Sequence, residues 1–121
     1  MFSVLLPAFK LTYLREAIDS VLAQSFPDFE LIIVNDRSPE DIAGLVATYS
    51  DNRISYFENE FNLGSKNLVY AWNRCVELAN REYGIIFSDD DILHRANRLQ
   101  FLYFLCISLA RGKDKRLVLL K

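Results

Sequence analysis

The stretch FELIIVNDRSPED, residues 29–41, decides the fold. Phe29 to Val34 is apolar but for Glu30, and a turn-forming polar segment follows. A short, unbroken apolar run bounded by turn residues reads as a strand buried on both faces. Such strands belong to parallel sheets covered by helices on both sides. Downstream, Ser38 as N-cap with Pro39 at the first helical position predicts a helix start. Ile42, Leu45, Val46 and Tyr49 supply its apolar face.

Working outward, the same alternation repeats. FSVLLP reads as a first buried strand ending at Pro7. Leu14, Ala17, Ile18, Val21 and Leu22 carry helical spacing within Tyr13–Gln24. ISYFEN is a third strand. A helix is expected from Lys66 to Asn80, with Leu68, Trp72, Cys75, Val76 and Ala79 facing inward. YGIIFS is a fourth strand, 96–110 a further helix ended by Gly112, and RLVLL a fifth strand. Strands separated by helices of this length imply βαβ units. The expected fold is an open, mostly parallel α/β sheet forming a single domain over 1–121. In such sheets ligands bind beyond the carboxyl ends of the strands.

Composition narrows the classes. The chain has 121 residues, 51% hydrophobic and 25% charged, with a formal net charge of −2. That balance suits one globular domain and gives no basic excess for nucleic acid. Cys75 and Cys106 sit in apolar helical patterns and read as core residues in a reducing cytoplasm. The first residues lack the charged region and cleavage site of a secretory signal. The longest apolar run, Leu99–Ala110, has 12 residues, short of the ~20 needed to span a bilayer. Arg111, Lys113, Lys115 and Arg116 could touch an anionic membrane surface, although a solvated turn is the simpler reading.

Polar residues gather where the strands end. Pro7-Ala8-Phe9 follows the first strand, Asn35-Asp36-Arg37-Ser38 the second, Asn62-Leu63-Gly64 the third, and Ser88-Asp89-Asp90-Asp91 the fourth. Two carboxylates about 4 Å apart repel by about 4 kcal/mol at an effective dielectric of 20. Three in a row need solvent, protons or a cation to relieve them, and hard divalent ions such as Mg²⁺ or Mn²⁺ take carboxylate ligands together with substrate phosphates. A helix cap would need only one of them. Asp36 is either a turn residue or an acceptor for a nucleobase N–H or sugar hydroxyl. Gly64 suits a helix-entry turn, or close backbone approach. Neither G-x-G-x-x-G nor G-x-x-x-x-G-K occurs, so phosphate would be held by the cation. His94, the only histidine, reads as a surface or helix-entry residue. Phe9 and Tyr13 could stack on a base or simply pack.

These residues resemble family 2 inverting glycosyltransferases of the GT-A fold. The resemblance runs from FSVLLPAFK through YLREAIDSVLAQSFPDFELIIVNDRSPED and RISYFENEFNLGSKN to EYGIIFSDDDIL, covering roughly residues 1–93. It implies a nucleotide-diphospho-sugar donor, a UDP-sugar by preference, and Mn²⁺ or Mg²⁺. It implies that Pro7, Ala8 and Phe9 line the nucleoside pocket and that Asp36 accepts from the uracil ring. Asn35 stands where the family usually has its first Asp. By the same resemblance Asp89 lies near the ribose or metal, and Asp90 and Asp91 are metal ligands. The acceptor would be a saccharide or a lipid-linked molecule.

Family members carry a second half holding the acceptor site and the general base. No carboxylate here matches that base, so no catalytic residue is assigned, and the chain reads as a shortened version of the fold. Its segment 94–121 departs from the family pattern. An apolar helix there without its covering layer would favour homo-oligomers. Two other readings stand beside the enzyme: a nucleotide-sugar-binding module without transfer, and a phospho-accepting receiver domain. A receiver would place its acid pair after the first strand, where this chain has Pro7-Ala8-Phe9.

Overall fold

A computed structural model describes residues 2–24 and 27–86, together with the backbone of 116–119. The elements run β1 (Phe2–Ala8), α1 (Leu14–Leu22), β2 (Phe29–Asn35), α2 (Ile42–Val46), β3 (Ile54–Glu58), α3 (Leu68–Leu78), β4 (Tyr83–Ile86) and β5 (Arg116–Leu119). All strand pairs are parallel, in the order β3-β2-β1-β4-β5. The expected fifth strand is therefore present, beside β4. This order begins as the Rossmann order does and differs from the 2-1-3-4-5 order of receiver-like folds.

Strand periodicity sorts the apolar residues onto two faces. Phe2, Val4, Leu6, Ala8, Leu31 and Ile33 pack on one face against Leu14, Ala17, Ile18 and Val21 of α1 and Ile42 and Val46 of α2. On the opposite face Leu5, Ile32, Val34 and Ile86 pack against Cys75 of α3 and Ala79 at its C-cap. Burying each large aliphatic side chain contributes about 1.5–3 kcal/mol, which is why the central strands are apolar on both sides. The chain changes face after β3: α3 carries it back over the sheet to place β4 beside β1. The β1/β4 boundary is thus the topological switch point, the place outside whose carboxyl ends open α/β sheets bind ligands.

At the amino end of the sheet, Glu30 interrupts the apolar run because Ser3 lies opposite it in the β1–β2 register. The Ser3 hydroxyl donates to Glu30 Oε1 at 2.6 Å, and the Asn80 backbone N–H donates to the same oxygen at 2.8 Å. The Arg81 N–H donates to Ser3 Oγ at 3.1 Å, and its guanidinium reaches Asp28 at 3.1 Å. Partial burial alone would push the Glu30 carboxyl up. The bonds from Ser3 and Asn80, with the nearby Arg81 charge, outweigh it and hold the carboxyl below its ordinary range. This brace fastens the α3–β4 connection to the edge of β1 and β2.

Three expectations are corrected. The helix after β2 starts at Ile42 rather than at Ser38-Pro39, with Asp41 as N-cap accepting from the Gly44 N–H at 3.0 Å. Leu68, expected to face inward, is 61% exposed, because the first turn of α3 lies off the core; Ala71 is buried instead. Helices α1 and α3 are also shorter than the expected Tyr13–Gln24 and Lys66–Asn80. Among the described residues, no helix is long and apolar enough to cross a membrane.

Candidate functional site

The carboxyl ends of β1 and β2 lie side by side, with Ala8 paired to Asn35. The Asp36 N–H continues the ladder by donating to the Ala8 carbonyl at 3.0 Å. Asp36 itself is only 6% exposed. A buried carboxylate must be compensated by hydrogen bonds or charge. Here the 59–64 loop supplies three donors. Asn59 Nδ2 and the Leu63 N–H donate to Oδ1 at 3.0 and 2.8 Å, and the Gly64 N–H donates to Oδ2 at 2.8 Å.

Gly64 is required by proximity and not by backbone conformation. Its φ is not positive, yet a Cβ there would lie 2.9 Å from Asp36 Oδ2. Asp36 and Gly64 thus meet on the α3 face of the sheet, where a Cβ on Gly64 would also lie 3.8 Å from Ala71 Cβ. Cys75 lies on the same side. Its burial, with the Asp36 charge nearby, pushes the thiol up to about 12.

The flanking residues shape the turn. Asn35 is buried, donates to the Tyr56 hydroxyl at 3.0 Å, and accepts from the Ser38 N–H at 2.9 Å. An amide can do both, whereas a carboxylate could only accept. Arg37 has φ 55°, in the left-handed region that costs a non-glycine residue about 1–2 kcal/mol. Ser38 Oγ donates to the Phe9 carbonyl at 2.5 Å, so the β1 and β2 loops are linked.

Of the predicted nucleoside residues, Ala8 is fully buried with its side chain in the α1-side core, leaving only its backbone toward the strand ends. Pro7 is half-buried, and Phe9, which follows Ala8 at the end of β1, is 37% exposed. Asp89, Asp90 and Asp91 lie outside the described residues, as does His94. Among the described residues, no three His, Cys, Asp or Glu side chains group as a metal site. Asn59 and Glu40 escaped the sequence reading. Asn59 carried one signal, a polar residue directly after a strand, but its partner is 23 positions away.

Three comparisons bear on this arrangement. The sequence model for glycosyl transferase family 2 matches residues 3–104. The Escherichia coli UDP-Glc:alpha-D-GlcNAc-diphosphoundecaprenol beta-1,3-glucosyltransferase WfgD is 29% identical over 101 residues, 83% of this chain and 38% of WfgD. An uncharacterized glycosyltransferase of Rickettsia typhi is 35% identical over 83 residues, 60% of this chain and 26% of that protein. The chain therefore spans well under half the length of these relatives. Among solved structures, S. aureus TarS 1–349 in complex with UDP-GlcNAc superposes with a TM-score of 0.76 at 24% identity, covering 88% of this chain and 31% of TarS 1–349. With the same parallel sheet and a family match across most of its length, the chain belongs to glycosyl transferase family 2 and has the GT-A fold.

Proposed function

We propose that this chain forms the donor site of a glycosyltransferase that binds a UDP-sugar with Mn²⁺ or Mg²⁺, for transfer to a saccharide or lipid-linked acceptor. The observation that carries the reading is the Asp36 carboxylate. An ionised carboxylate has about four acceptor sites. Among the described residues three are used, which leaves one on Oδ2 for a ring N–H. Uracil presents such a donor at N3, whereas cytosine has none there. Phe9, partly exposed at the end of β1, would offer an aromatic face for the base. The name of WfgD, with UDP-Glc as donor and a lipid diphosphate as acceptor, supports the same substrate classes.

Asp90 and Asp91 would hold the cation, with Asp89 at the ribose or metal; three hard oxygen donors suit Mg²⁺ or Mn²⁺. Such an ion, when bound, neutralises the charge on a departing diphosphate. The remaining residues bind and orient the nucleoside. Donor binding without transfer is the second reading.

The test is calorimetric titration of UDP into the 121-residue chain with and without Mn²⁺. Asp36→Asn is expected to weaken UDP more than inorganic diphosphate, because its partner is the base. Equal losses would remove the base-reading role. Asp90→Ala is expected to abolish the Mn²⁺ dependence, and unchanged dependence would refute the metal assignment.

A further inference from the structure

Ser38 and Glu40 have no part in the Asp36 bond set, and they do not cap α2, since Asp41 does. They make a different set of contacts. Ser38 Oγ donates to the Phe9 carbonyl at 2.5 Å and accepts from the Glu40 N–H at 3.0 Å. The Glu40 carboxylate accepts from the Leu11 N–H. Two residues of the β2–α2 loop thereby grip the backbone on either side of Lys10 in the β1–α1 loop. Leu11 is further fixed by packing against the core. Phe9 is the first residue of the gripped segment and directly follows Ala8, whose carbonyl accepts from the Asp36 N–H.

We propose that Ser38 and Glu40 are positioning residues for the donor base: they hold the Phe9 ring where a base read by Asp36 would stack. The inference rests on the donor-site reading above. Its physical basis is pre-organisation. A loop already fixed in its binding geometry loses little freedom on binding, whereas a loose one spends part of the interaction on ordering itself. The acceptor at Glu40 is charged, and such bonds are the stronger kind.

The test uses the whole chain, with UDP and inorganic diphosphate as probes in the presence of Mn²⁺. Glu40→Ala is expected to weaken UDP about tenfold, the order of one hydrogen bond to a charged group, and to leave diphosphate nearly unchanged. Glu40→Gln keeps an acceptor oxygen and should recover most of the affinity; Ser38→Ala should resemble Glu40→Ala. In a Phe9→Ala background the Glu40→Ala change should have no further effect, since coupled residues are non-additive. A general structural role would instead weaken both probes and act equally in both backgrounds, which would overturn the proposal. So would wild-type UDP affinity in Glu40→Ala. A wild-type chain that binds no UDP removes the donor-site reading itself, and this inference with it. If Glu40→Ala fails to fold by thermal melting, Ser38→Ala and its Phe9→Ala double variant carry the same comparison.

Discussion

Replacing Gly64 by alanine tests the contact on which the site is built. The added Cβ would lie 2.9 Å from Asp36 Oδ2, while Leu68 and Ala71 stand at 3.7 and 3.8 Å, ordinary contact. Only the carboxylate must give way. It is a short side chain pinned on its other oxygen by Asn59 and Leu63, so it cannot swing aside without loosening those bonds. Losing one hydrogen bond to a charged group costs about 1.5–3 kcal/mol. Alanine offsets about 0.4–1 kcal/mol of that by restricting the unfolded chain. The net expectation is a loss of about 1–2 kcal/mol. For a chain of this size that lowers Tm by about 4–8 °C. UDP affinity should fall with it, because Oδ2 carries the open acceptor site. Thermal melts and urea unfolding give the first quantity, calorimetry the second. A Gly64→Ala protein that melts at or above the wild-type temperature and binds UDP normally would show that the carboxylate is not pinned and refute the reasoning.

Further expectations concern other parts of the fold. Arg37→Gly relieves the left-handed backbone and should raise stability by up to about 1 kcal/mol in urea unfolding; a loss would mean that the exposed Arg37–Glu58 ion pair at 3.8 Å matters more than the strain. Hydrogen bonds from Arg53 hold the Asp51 carboxyl at about 2. A lowered carboxyl stabilises the fold above its unfolded value and loses that contribution as pH falls, here between about pH 4 and 2. The pair is partly solvated, so Asp51→Asn should remove only about 1 kcal/mol of that acid-range loss, read as a flatter stability curve below pH 4. Cys75, fully buried with its thiol raised to about 12, should resist thiol reagents at pH 8 in a Cys106→Ser chain until denaturant is added. Rapid native-state labelling would contradict its placement.

The strands were legible because burial on both faces leaves a nearly continuous apolar run, and FELIIV and FSVLLP read directly as β2 and β1. The helix after β2 was misplaced for a local reason. A Ser-Pro pair suits an N-cap, but Ser38 bonds instead to the Phe9 carbonyl, 29 positions earlier, and the helix waits for Asp41. Leu68 was misassigned because periodicity cannot tell where a helix overhangs its sheet. Glu30 looked like a blemish in a strand until the register set Ser3 against it. Asp36 could be placed at the carboxyl edge of the sheet from sequence. Its partners lie 23, 27 and 28 positions away, and only tertiary structure brings them together.

The 59–64 loop has a consequence for how this protein can vary. Asn59, Leu63 and Gly64 all donate to one carboxylate, so the loop is a ring closed through the side chain of Asp36, just after β2. Between those fixed points Glu60 and Phe61 are exposed. Substitutions there leave the three donors to Asp36 in place, but a change in the number of residues does not. One inserted residue must bulge outward or unhook Leu63 and Gly64 from Asp36. The loop therefore behaves as a ruler: tolerant of what is written on it, intolerant of any change in its length.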